Sequence, residues 1–429
     1  MDCSLATITA LFAMHNLLRL LALALAMTSL NAFAVQDLGD VVISADLKTI
    51  AVRVSGSPAE IDNLAKQAFN AHGRYRLAAT GGAFDIKFTQ VAAAQVQVVV
   101  VKRGSSVSVE MDGSAIKSQG ASSGSGVVLS QVVSGTSSRN ALFRAADLAV
   151  KATSGLKGFF SNRLTFISTY SGHQEVFTSD LFFGEVKQIT RDNAQAITPR
   201  WAPDGRKILY TSFYKSGFPD IFLIDLNSLQ RTLFVSVKGT NSGARFSPDA
   251  SQVAMVLSGE GNPEIYVSNA QGRQIARRTR SASVEASPCW SPDGSKLLFT
   301  SDAAGGPQLY VMPAGGGSIQ RIPTAISRYC AEPDWSKGDP TKIAFTVRVG
   351  SGYQVAVYDL SGKMPTKIVS KAAGDAVEPS WLGDGRHVVY TARAANSRSL
   401  TILDTETGKT TRISPPAMRE VSQASVWAP

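Results

Sequence analysis

An aromatic residue returns six times at a nearly constant interval: Trp201, Phe246, Trp290, Trp335, Trp381 and Trp427 are 45, 44, 45, 46 and 46 residues apart. An interval of about 40–45 residues is the length of one four-stranded propeller blade, a unit that cannot bury its faces without neighbours. All five tryptophans of the chain stand at this one position, and Phe246 fills the sixth. The residues behind the aromatic explain the recurrence. In PCWSPDGSKLLFTS (288–301) and PRWAPDGRKILYTS (199–212), proline presets φ for a turn, Asp suits the next position, and Gly takes the left-handed conformation that closes a hairpin. An alternating apolar strand then folds back on the aromatic strand. ARFSPDASQVAMVLS, PDWSKGDPTKIAFTV and PSWLGDGRHVVYTA are further copies. The aromatic surface is expected to pack between adjacent blades.

Counting strands predicts how the ring closes. RLTFIST, QEVFTSDL and EVKQIT, between Arg163 and Thr190, supply three strands with no aromatic strand before them, while VSQASVW at the C-terminus has nothing after it. The last strand is expected to complete the first blade, which leaves no open sheet edge at the joint. The fold class is therefore mainly β: a six-bladed β-propeller over residues 159–429, preceded by a small α/β (α+β) domain over 35–158.

In that front domain, SPAEIDNLAKQAFNAHG reads as a helix. Ser57 is its expected N-cap, Pro58 its first residue, Glu60 the partner in a capping box and Gly73 its terminator. Ile61, Leu64, Ala65, Ala68 and Phe69 fall on one face. A second helix is expected from about Arg139 to Thr153, with Leu142, Ala145, Ala146 and Ala149 inward. AVRVSG, FDIKFT, VQVVVVKR and SVSVEMDG read as strands, the last two flanking a turn at Gly104 and Ser105. GASSGSG (120–126) formally matches a G-x-S-x-G nucleophile signature, but a Ser/Gly run leading into the strand-like VVLSQVV is a flexible loop.

Residues 1–34 read as a secretory signal: an apolar run from Leu20 to Met27 precedes the small-residue site Ala32-Phe33-Ala34, and the run is too short to span a membrane. Met1 to Phe12 carry no positive charge, whereas a start at Met14 gives a short segment with Arg19 ahead of the apolar core, so Met14 is read as the true start. Cleavage after Ala34 removes Asp2 and Arg19 and leaves the net charge at +10. In an exported protein such an excess fits a solvated surface or acidic envelope partners, and nucleic acid is not an expected partner. Cys289 and Cys330 stay in the mature chain, at near-equivalent points of neighbouring repeats. A disulfide and two buried free thiols both remain open.

The tandem W-S-P-D-G blades, the E-P-x-W of AEPDWS and VEPSWL, the signal segment and the junction ADLAVKATSGLKGFFSNRLTFIST together resemble the TolB family, the periplasmic propellers of the Tol–Pal envelope system. The resemblance covers about Leu142 to Pro429 well, and 35–135 only in size and order of elements. It implies a monomeric, non-enzymatic periplasmic protein without a cofactor and without a membrane span in its mature form. It further implies that the channel face binds the lipoprotein Pal, that the mature N-terminus (Val35, Gln36, Asp37, Leu38) binds TolA, and that the protein serves outer-membrane integrity and constriction during cell division. The candidate Pal-binding positions lie three residues before each aromatic: Thr198, Gly243, Ser287, Glu332, Glu378 and Ala424. Glu332 and Glu378 match the family's E-P-x-W. Both are expected in loops, where charge reversal would barely alter melting.

Two alternatives come from other classes. W-S-P-D-G propellers also accompany peptidases, and some six-bladed propellers are metal-dependent lactonases, for which Glu332 and Glu378 could supply two ligands. A carbohydrate- or peptidoglycan-binding propeller would use exposed aromatics such as Phe213, Tyr214, Tyr329 and Tyr353.

Overall fold

The computed structural model describes residues 49–104 and 126–429. The signal segment, Val35 to Leu38, SVSVEMDG and most of GASSGSG lie outside the described residues.

The front sheet has the strand order β2-β1-β3-β4-β5, built from β1 (Ile50–Ser57), β2 (Tyr75–Leu77), β3 (Phe84–Ala92), β4 (Gln95–Lys102) and β5 (Gly126–Ser134). β1 runs parallel to β2 and β3, and the other pairs are antiparallel. Alternate residues Val52, Val54, Ile86, Phe88, Val96, Val98 and Val100 are buried, as a one-sided sheet requires. Helices α1 (Ala59–Ala71) and α2 (Ser138–Ser154) share their core, burying Ile61, Ala65, Ala68 and Phe69 from one and Leu142, Ala145, Ala146 and Ala149 from the other.

The start of α1 departs from the expected capping box. Ser57 pairs with Thr89 as the last residue of β1, so Pro58 is the N-cap and no side chain caps it. Asp62 ties the entry instead, its Oδ1 accepting from the Gly56 amide at 2.8 Å. The helix ends one residue before His72, and Gly73 serves a close approach: a Cβ there would lie 2.0 Å from Asp404 Oδ2. In α2 the cap is conventional, with Ser137 Oγ accepting from the Asn140 amide at 3.1 Å.

Six four-stranded sheets follow. Blade 2 holds Ala196–Trp201, Lys207–Ser212, Asp220–Asp225 and Arg231–Val235, and blades 3 to 6 repeat this plan with inner strands Asn241–Phe246, Glu285–Trp290, Cys330–Trp335 and Asp375–Trp381. Blade 1 is discontinuous: Val421–Trp427 pairs antiparallel with Arg163–Ser168, closing the ring as the strand count requires. Indole N–H groups bond across blade seams, Trp290 to the Arg245 carbonyl at 3.0 Å and Trp381 to that of Asp334 at 3.0 Å. No helix among the described residues is long and apolar enough to cross a membrane.

The front core runs on into the ring, where Phe159, Phe160, Leu382, Val389, Leu400 and Val421 belong to the same apolar cluster. Asp147 on α2 accepts from the Phe160 amide (2.7 Å), and Asn162 Oδ1 accepts from the Gly383 amide (2.8 Å). The front domain therefore packs on blades 6 and 1, at the end of the ring that carries the Asp-Gly turns.

Candidate functional site

Every inner strand carries a bulge two or three residues inside its start, and at that bulge one residue is left-handed. These are Thr198 (φ 51°), Gly243 (64°), Ser287 (52°), Glu332 (54°), Glu378 (54°) and, in blade 1, Gln423 (55°). A left-handed residue at a strand bulge turns its amide out of the ladder, and in blades 1, 2, 5 and 6 that amide reaches the neighbouring blade. Five of the six expected positions are thereby brought together at the mouth where the inner strands enter. The sixth needs correction. Val426, not Trp427, pairs with Leu164 as Trp201 pairs with Ile208, so the blade-1 motif is displaced by one residue. Ala424 is buried, and Gln423 takes the place expected of it. The interval gave no signal of this, since the regular step from Trp335 to Trp381 is also 46 residues.

Hydrogen bonds link these residues from blade to blade. Glu332 Oε2 accepts from Thr346 Oγ1 (2.7 Å) and from the Glu378 amide (3.1 Å). Glu378 Oε2 accepts from Thr391 Oγ1 (2.8 Å) and from the Gln423 amide (3.2 Å). Gln423 Oε1 in turn accepts from the Thr198 amide at 2.7 Å. Threonines at the fifth position of the second strands complete the belt: the amides of Glu332, Glu378 and Gln423 donate to the Oγ1 atoms of Thr300, Thr346 and Thr391 at 3.1 to 3.2 Å. Blade 1 has Ile167 there, and the Thr198 amide uses the Gln423 carboxamide instead. Gly243 and Ser287 take no part in the belt.

Glu332 and Glu378 thus sit in strands, half-buried, and their carboxylates hold neighbouring blades together, contrary to the expectation that they occupy loops with no bearing on stability. Each spends Oε2 on the belt, while Oε1 has no hydrogen-bond partner among the described residues. Burial, and then the charge of Glu378, push the Glu332 carboxyl above the usual carboxylate range. A donor or cation arriving at this mouth would meet two spare acceptors on adjacent blades. Beside Glu332, a cavity of about 250 Å³ between blades 4 and 5 is lined by Ser287, Thr300, Asp302 and Tyr329.

The candidate aromatics fall around the same mouth. Tyr329 and Tyr353 form an edge-to-face pair with centroids 5.1 Å apart, and the Arg393 guanidinium lies 5.8 Å from the Tyr353 ring. Tyr214 is exposed at its edge, but Arg231 covers one face at 4.2 Å; Phe213 is half-buried. Cys289 and Cys330 are buried free thiols, the former accepting from Arg245 Nη1 at 3.0 Å.

Fold and site together define a closed six-bladed propeller whose axial channel has a polar, partly acidic mouth on the side away from the Asp-Gly turns. The chain belongs to the TolB β-propeller domain family, whose model matches residues 150–429. Over 127 residues it is 35% identical to the Tol-Pal system protein TolB of Desulfosudis oleivorans, a match covering 30% of this chain and 28% of that relative. The match thus spans under a third of the relative's length. TolB from Acinetobacter baumannii shares the fold, with a TM-score of 0.75 at 24% identity over 88% of this chain and 96% of that one. Hydrazine synthase of Kuenenia stuttgartiensis superimposes with a TM-score of 0.52 at 14% identity, covering 63% of this chain and 47% of that one. An enzyme can therefore carry a similar propeller.

Proposed function

We propose that this chain is a non-enzymatic, periplasmic component of the Tol–Pal system that binds the lipoprotein Pal at the inner-strand mouth and TolA through Val35 to Leu38, after removal of residues 1–34. In this reading 35–158 and 159–429 act as a front domain and a binding ring, and the system supports envelope integrity during division. The observation that carries it is the pair of half-buried carboxylates, Glu332 and Glu378, each offering Oε1 to an incoming donor, the former beside a cavity. Family membership supports the choice of partner, and the ring geometry supports the choice of face.

The belt dictates the test. Reversal to Lys would break the interblade bonds and confuse binding with folding. Glu332→Gln with Glu378→Gln keeps an acceptor for the belt but removes the charge. A charge-assisted hydrogen bond is about twice as strong as a neutral one, so the double variant is expected to bind Pal about tenfold or more weakly with little change in melting temperature. Unchanged affinity in calorimetric titration would remove the carboxylates from the interface. For the tail, deletion of 35–40 is expected to abolish TolA capture and spare Pal binding; loss of both or of neither contradicts separate sites.

A further inference from the structure

Below the mouth, the channel wall is formed by the residue before each register position: Arg200, Arg245, Cys289, Asp334, Ser380 and Ser425. All six border a cavity of about 310 Å³ near the turn end of the ring, and all five tryptophans border it too. Its charges do not balance. Arg200, Arg245 and Lys337 face a single carboxylate, Asp334. That carboxylate is already committed, Oδ1 accepting from Arg245 Nη1 at 2.7 Å and Oδ2 from the Trp381 amide at 2.8 Å. Cys289 adds no charge, because burial pushes its thiol up.

Of the two cations left over, Lys337 is exposed to solvent, and Arg200 is the half-buried one. Among the described residues it forms no ion pair, and its hydrogen bond is to the carbonyl of its own neighbour, Pro199, at 3.2 Å. Desolvation, and then the like charge of Arg245, lower its pKa to about 10, so it stays protonated at neutral pH. Its planar fork is not spent on any ion pair, and that fork matches a carboxylate with two parallel bonds. The indoles that border the cavity, four of them largely buried in the seams, add an apolar lining beside it.

We propose that this cavity is a binding site for a small organic carboxylate, gripped by Arg200 with its apolar body among the indoles. The site is separate from the mouth, and the inference does not rest on the partner assigned there. Because every tryptophan borders the cavity, intrinsic fluorescence reports occupancy directly. Benzoate, added to the full mature chain at constant ionic strength, is expected to give a saturable change and to bind at least tenfold tighter than benzamide, its neutral counterpart. Arg200→Gln is expected to weaken benzoate binding at least tenfold while the protein still melts cooperatively. Should that variant not fold, Arg200→Lys, which keeps the charge but loses the fork, serves instead with the same expected weakening. The absence of a saturable response to benzoate, equal affinity for benzamide, or undiminished binding in the folded variant overturns the proposal.

Discussion

Thr391 shows how one hydroxyl can join two blades. Its Oγ1 donates to Glu378 Oε2 and accepts from the Gln423 amide, and its side chain is buried. Val256 and Ile167 hold the same strand position in blades 3 and 1, so the fold tolerates an aliphatic branch there. Thr391→Val therefore removes the hydroxyl without altering volume much, and leaving a buried amide and carboxylate short of a partner is expected to cost about 1–3 kcal/mol in denaturant unfolding. Glu378→Lys is expected to cost at least as much, because it places an ammonium against the Gln423 amide that the carboxylate now caps. A second residue-scale test concerns Gly205, whose φ is +66° and whose Cβ would come within 2.4 Å of the Trp427 ring. Gly217 has a similar φ of +73° and open space around it. Ala at 217 is expected to cost about 1 kcal/mol of backbone strain, whereas Ala at 205 adds a clash of about 1–3 kcal/mol, a difference readable from paired melts. The sequence told the residue types apart poorly: E-P-x-W marks a strand entry, but nothing local reveals that the carboxylate reaches the next blade's amide, some 45 positions further on.

At the scale of elements, the repeat was legible because each blade needs the same turn and the same aromatic seam, which forces a regular spacing on the chain. Closure was legible for a related reason, since three strands at one end and one at the other can only form one sheet. What failed was register within the closing strand. Trp427 occupies the place after the register position, yet it still bonds across the seam, its Nε1 donating to the Pro203 carbonyl at 3.0 Å with its ring 6.3 Å from that of Trp201. An aromatic one residue out of step still packs in a seam, the one on the other side of its blade, and so hides the shift that moves the mouth position from Ala424 to Gln423. The misplaced cap of α1 has a parallel cause: Ser57 is a good cap by type, but the β1 ladder holds it. Deleting 422–429 removes the inner strand of blade 1, and because truncating a large buried aromatic alone costs about 3–5 kcal/mol, the shortened chain is expected to lose cooperative melting under conditions where the full chain is folded. A wild-type melting temperature would contradict the closure.

At the scale of the molecule, the front domain and ring meet around two buried imidazoles. His72 and His387 lie with ring centroids 4.6 Å apart, against Phe159, Asp384, Arg386 and Asp404, with Lys409 close by. Burial, followed by the charges of His387 and Arg386, holds His72 well below its ordinary 6.5. The folded state therefore prefers the neutral ring, and the stability this confers is present above pH 6.5 and is lost as pH falls from there toward the lowered value. The loss approaches about 1.4 kcal/mol per pH unit from this one group, and His72→Phe is expected to flatten the decline between pH 6.5 and 5 in denaturant titrations. Among the described residues the front domain sits beside the turns and leaves the inner-strand mouth uncovered. The most direct measurement places a photo-crosslinking residue at Tyr329, beside the mouth, and in a second protein at Lys337, beside the opposite cavity. The account predicts light-dependent crosslinks to Pal from position 329 and none from 337; crosslinks from 337 alone would contradict it.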